Sequence, residues 1–217
     1  MLEHTVQVPR RNRVDPWGDL HAVPGRGLLT GNRGCLVNAG GTLVRHHTSS
    51  LWISCVTELR GRRQPLEASG RWTPIFFLDE AVALAAGHRP CAYCRRADYL
   101  SYRDAVARSL GCDRAPLASE LNRRLAEERH RRGRGLVRAP DRLLWDATLP
   151  NLPRGTVVLG GGGGALLVVE AGVRSFSFDG WGPVVSAPPS EVSVLTPPTS
   201  VAALRNGYVP LLHPTAR

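Results

Sequence analysis

Cys91 and Cys94, three positions apart in Pro-Cys-Ala-Tyr-Cys, carry the strongest chemical signal in the chain. A Cys-x-x-Cys at a tight turn lets two thiolates face one metal ion, and the fixed turn lowers the entropy cost of gathering them; it is the commonest half of a zinc knuckle. Cys55 is the best third ligand, because strict alternation over Leu51-Trp-Ile-Ser-Cys-Val-Thr57 puts it on a definite face of a strand just upstream. Cys35, His46 or His47 would supply a fourth, and Cys112, past a helix stop, reads as a bystander. Three thiolates with one imidazole, or four thiolates, would close a structural zinc site. Two other chemistries compete. A redox Cys-x-x-Cys would open a long helix in a βαβ context, and a helix does follow here. A zinc deaminase would need an upstream His-x-Glu or Cys-x-Glu. The nearest candidate, Cys55-Val-Thr-Glu58, has the wrong spacing, and in a strand its two ends face opposite sides.

The elements that must hold this pair lie in residues 73–96, read as strand, short helix and turn. Phe76 and Phe77 end a β-favouring run. Asp79 is a good N-cap, Glu80 suits the first turn, and Ala81, Val82, Leu84 and Ala85 give a small apolar face. Gly87 stops the helix, and Pro90 sets an extended approach to Cys91.

The run Ala-Ala-Gly87-His88-Arg89-Pro90-Cys91-x-x-Cys94, after a strand and a helix, resembles the second half of the small zinc domain of the Ada alkylation-repair family. That resemblance implies a zinc-binding scaffold with two further ligands from an upstream hairpin, one of which in Ada accepts a methyl group from a DNA phosphotriester. Ada's paired upstream cysteines are absent here and only Cys55 stands in their place, so the scaffold carries over and the methyl transfer does not. The remainder, notably DPWGDLHAVPGRGLLTGNRG, is similar to a bacterial protein family, a likeness that implies no function.

The chain has 217 residues, 42% hydrophobic, enough for one generous or two small domains. All 28 basic residues are Arg, and the formal net charge of +10 favours a polyanion, nucleic acid before an anionic membrane surface. No stretch approaches the roughly 20 apolar residues of a membrane span, and the N-terminal residues have no signal-peptide apolar region. Five cysteines without an export signal point to a cytoplasmic thiol or metal protein.

Residues 1–18 read as a basic irregular arm, 19–138 as an Ada-like zinc-binding α+β domain, and 139–217 as a small β-rich subdomain. Within the second segment a β meander precedes the knuckle, with Thr42–His46 and Leu51–Thr57 as a hairpin pair. Residues 58–72 read as a basic loop bearing Arg60, Arg62 and Arg63. Helices follow over about 97–110 and 116–131, and a connector over 139–152. Five glycines at 160–164 make a loose hairpin tip; without a Lys they are no Walker loop. Arg123, Arg124, Arg131, Arg132 and Arg134 belong to the densest charge run, which Glu120, Glu127 and Glu128 partly offset at helical spacing. These features predict a zinc-stabilised protein that binds DNA or RNA through the eight arginines named above. The other class is an enzyme on nucleic acid, of the alkyl-transfer, deaminase, nuclease or glycosylase type, whose active site the sequence does not reveal.

Overall fold

The computed structural model describes residues 9–63, 72–111, 114–131, 133–187 and 190–217. It is α+β, with an N-terminal sheet, a helical layer and a C-terminal sheet. The first part contains β1 (Arg13–Val14), β2 (Leu20–His21), β3 (Leu29–Asn32), β4 (Ile53–Val56), β5 (Glu58–Leu59), β6 (Arg62–Arg63) and β7 (Ile75–Phe77). Helix α1 (Glu80–Ala85), β8 (Arg89–Pro90), α2 (Arg96–Leu110) and α3 (Ala118–Arg129) follow. The last part holds β9 (Trp145–Thr148), β10 (Val157–Leu159), β11 (Ala165–Val169), β12 (Gly172–Ser177), β13 (Gly180–Val185), β14 (Glu191–Val194) and α4 (Pro198–Arg205). The N-terminal sheet runs β2-β1-β7-β3-β4-β8 and the C-terminal sheet β13-β12-β11-β10-β14-β9.

Helix α1 is the hub, and every one of its residues is buried. Its capping follows from sequence. Asp79 accepts the Val82 amide at 3.1 Å, and Gly87 at φ +84° closes a Schellman turn in which Gly87 and His88 donate to Leu84 and Ala83. Small side chains let both sheets approach it. Ala81, Val82 and Ala85 share one core with Val14, Leu29 and Phe77 of the first sheet and with Val157, Leu167 and Trp181 of the second. Leu84 turns the other way, into a core with Tyr102 of α2, Leu121 of α3 and Leu204 of α4. Residues from all three sequence segments thus meet at one helix.

Several expectations give way. Part of the basic arm is structured: Arg13–Val14 forms β1, paired with β2 and in parallel with β7, and the Arg13 guanidinium lies 4.7 Å from the Phe76 ring centroid. Thr42–His46 is not a strand, because His46 is drawn inward, 3% exposed, and the Val44 and Arg45 amides turn back to Leu36. Strand β4 pairs instead with β3 and, in parallel, with β8. The expected loop at 58–63 is a β5–β6 hairpin whose two turn residues, Arg60 and Gly61, both have positive φ, +53° and +73°. That is the primed turn matched to strand twist, in which an Arg is an unusual occupant. Strand β9 lies where a connector was expected, and β12 and β13 complete the β-rich segment beyond the glycine tip. The five-glycine tip joins β10 to β11 as expected. Among the described residues Glu128 forms no ion pair with an arginine; it accepts from the Thr199 amide and hydroxyl at 3.0 and 2.6 Å, capping α4.

Candidate metal centre and basic cleft

The parallel register Ser54↔Pro90 brings Cys55 of β4 beside Cys91, which follows β8. The Cys91 amide donates to the Ser54 carbonyl at 2.9 Å, and the turn then returns through Arg95, whose amide donates to the Cys91 carbonyl. The sulfurs of Cys55, Cys91 and Cys94 all lie within 4.8 Å of one another. None is in a disulfide; Cys91 is buried, and Cys55 and Cys94 are half-buried. Amide hydrogens point at the sulfurs: Tyr93 donates to Cys91 at 3.4 Å, the Cys94 amide also serves Cys91, and Val56 serves Cys94. Hydrogen bonds from the Cys55 and Cys94 thiols, joined by these amides, hold the Cys91 thiol well below its ordinary range, so it loses its proton first. Donating to its two neighbours pushes the Cys55 thiol far up. Three soft sulfur donors within reach of one centre, two of them receiving backbone N–H groups, fit a thiophilic metal ion.

The expected fourth ligands lie elsewhere. The Cys35 thiol donates to its near neighbour, the Val37 carbonyl, at 3.6 Å. His46 and His47 belong to a second cluster, and among the described residues the sulfur group has three members. Glu58 is exposed on β5.

No motif in the sequence points to that second cluster as a unit. Trp52, 1% exposed, has the guanidinium carbons of Arg33 and Arg129 at 4.0 and 3.9 Å from its ring centroid. His46, His47, His88 and His130 ring it at 5.0–5.7 Å. Arg33 donates to His88 at 3.1 Å and to the Gly18 carbonyl at 2.6 Å, and its Nη2 is buried without a hydrogen-bond partner. Arg129 donates to the Gly87 and Ser50 carbonyls at 3.0 and 3.2 Å. Arg142 donates to the carbonyls of Arg129, Ala85 and Leu195. None of these three buried guanidiniums lies in an ion pair among the described residues. Burial lowers all three, Arg129 to about 9 and Arg142 to about 10.

The histidines are neutral for the same reasons. Burial, then the nearby Arg33 charge, pushes His46 to about 2 and His47 to about 4; burial, then Arg142, pushes His130 to about 2. His46 Nε2 lies 2.9 Å from the Gly18 carbonyl and 3.1 Å from Arg33 Nη1, and His46 Nδ1 lies 3.1 Å from His47 Nδ1, so the two rings are tied to each other and to Arg33.

A cleft of about 520 Å³ opens over this cluster, between the segment 47–50 and the end of α3. Its charged walls are Arg129, Arg131 and Arg138, and no carboxylate among the described residues lines it. Of the sequence-predicted arginines among the described residues, only Arg131 lines it. Arg60, Arg62 and Arg63 stand exposed on the β5–β6 hairpin, and Arg134 is exposed beyond α3. On α3, Arg123 pairs with Glu127 at 3.2 Å and Arg124 is half-buried. Arg132 lies outside the described residues. The sequence signal that could have found the cleft was His46-His47 with His130 inside an arginine run.

Compared with protein-family models, curated proteins and solved structures, the chain matches none. No helix among the described residues is long and apolar enough to cross a membrane.

Proposed function

We propose that this is a zinc-stabilised nucleic-acid-binding protein. The observation that carries this reading is the placement of the arginine hairpin. Cys55 sits on β4, and β5–β6 begins just beyond it, presenting Arg60, Arg62 and Arg63 with exposed side chains. A metal held by Cys55, Cys91 and Cys94 would fix the root of that hairpin against the CxxC turn. Zinc is the fitting ion for three thiolates and a fourth ligand, and its role here is to add folding energy. The basic run at 123–138, with Arg131 and Arg134 outside any ion pair among the described residues, supplies a second set of phosphate contacts.

Forked guanidiniums bind phosphate oxygens in pairs and release counterions as they do so. Affinity for a short duplex or single strand should therefore fall steeply with salt. Replacing Arg60, Arg62 and Arg63 together by Ala should flatten the dependence by about one unit for each phosphate no longer neutralised. Equal affinity and slope for the parent chain and the triple variant would sink the reading.

A further inference from the structure

We propose that the cleft between residues 47–50 and the end of α3 binds a phosphomonoester, either the phosphorylated end of a nucleic-acid strand or a free nucleotide. The choice of ligand rests on the nucleic-acid reading above; the site itself stands on separate observations.

The cleft is chemically one-sided. Arg129, Arg131 and Arg138 line it together with Ser49 and Ser50, and no acidic residue among the described residues does. Asp141 takes up only Arg138, at 2.6 Å. Arg129 uses two donors on carbonyls and keeps the rest of its five N–H groups. Behind the wall, Arg33 and Arg142 are 0% and 5% exposed and have no carboxylate partner among the described residues. Asp15 and Asp19 offset part of this charge without pairing directly; buried cations left unpaired are costly, and a bound anion offsets the remainder. His130 Nε2, buried and unpartnered, offers a further polar atom on the lining.

Size and charge narrow the anion. About 520 Å³ falls within the range of sites for whole small molecules, so it accommodates a nucleotide as well as its phosphate. A monoester brings up to two negative charges to the two wall guanidiniums, Arg129 and Arg131, that no carboxylate pairs among the described residues, whereas an internal diester brings one. Base stacking on Trp52 plays no part, since two guanidiniums already lie against its ring.

The test uses the full-length, zinc-loaded chain and two short single strands that differ only in a terminal phosphate or a terminal hydroxyl. Anisotropy should show the phosphorylated strand bound about tenfold tighter or more, as expected for charge-assisted contacts. A nucleoside monophosphate should compete for the excess, and inorganic phosphate should do so more weakly. Arg131→Ala with Ser50→Ala removes two exposed side chains and should abolish the preference without moving the thermal midpoint, while Arg62→Ala should leave the preference intact. Equal affinity for the two strands, with no competition by the mononucleotide, overturns the proposal. If the hydroxyl-ended strand still binds with a steep salt slope in that case, the nucleic-acid reading survives it. Mononucleotide binding that is lost in the double variant, with neither strand bound at all, upholds the cleft and removes the nucleic-acid reading instead.

Discussion

Arg95, the residue after Cys94, grips the carboxylate of Glu80 with both arms of its guanidinium at 2.8 Å, and the Glu80 side chain is wholly buried. The pair joins the metal turn to the first residue of α1. Arg95 also reaches Ser54 of β4 and Asp98, while Glu80 takes the Tyr208 hydroxyl at 2.6 Å and the Leu211 amide at 2.9 Å. A buried pair so fully supplied with partners rewards intact geometry and penalises loss of one member.

Arg95→Ala should destabilise the fold by about 3–5 kcal/mol, because it strands a buried carboxylate. Glu80→Gln, which keeps the shape, should cost less. Urea unfolding monitored by tryptophan fluorescence checks both, and a loss under about 1 kcal/mol for Arg95→Ala would be the wrong outcome.

The purified chain should carry about one zinc, lost in Cys55→Ser, Cys91→Ser or Cys94→Ser and kept in Cys35→Ser. Chelation should lower the thermal midpoint, since the binding energy of a structural zinc is folding energy. Elemental analysis after gel filtration decides it; a metal-free native protein, or zinc lost with Cys35, contradicts the assignment.

Acid should weaken the fold before carboxylates titrate. His46, His47 and His130 are lowered to about 2, 4 and 2, and His88 well below the ordinary value. The unfolded chain binds protons below about pH 6.5 that the folded chain refuses, so this stability is complete above that pH and lost as pH falls toward the folded values. Between about pH 6.5 and 5.5 each buried ring contributes about 1 kcal/mol, and the total loss should be on the order of 3 kcal/mol, below the sum for four rings because His47 and His130 are only half-buried. Asp79 and Glu128, raised by burial, act with opposite sign at lower pH. Urea midpoints that stay flat across this window would count against neutral, buried rings.

Gly87→Ala should harm both the fold and the cleft. The position has φ +84°, and an added Cβ would overlap the Arg129 side chain, Cγ and Cδ, as well. The backbone alone costs about 1 kcal/mol, and displacing a buried arginine from Trp52 adds to it. A thermal midpoint equal to that of the parent chain would refute this.

Arg60→Asn should stabilise the β5–β6 hairpin, because Asn tolerates the positive φ that Arg60 holds at +53°. About 0.5–1 kcal/mol is expected, visible as slower amide exchange across Glu58–Arg63. Unchanged or faster exchange would show that the turn carries no strain.

What the sequence disclosed was local chemistry. Asp79, Gly87 and Cys91-x-x-Cys94 each announce a cap, a stop and a turn through their own backbone preferences, and all three stand in the fold as those preferences dictate. Alternation along Leu51–Thr57 put Cys55 on the correct strand. The cleft was illegible because its parts come from far apart: Arg33, Trp52, His88 and Arg129 meet only when β3, β4 and the end of α3 converge on the loop after α1. No spacing rule links such positions. Strand β9 and the Arg60–Gly61 turn escape notice for a different reason: Trp-Asp-Ala-Thr and Arg-Gly carry weak intrinsic preferences that pairing partners override.

The Glu80 carboxylate receives its last two donors from Tyr208 and Leu211, 128 and 131 residues downstream. On a ribosome, the helix at the centre of the molecule and the Arg95 that neutralises its acid emerge long before the segment that completes the acid's hydrogen bonds has been made. Until the second sheet follows, the faces of α1 that will meet it have no partner. A chain cut short before Tyr208 would leave the Glu80 carboxylate without two of its donors.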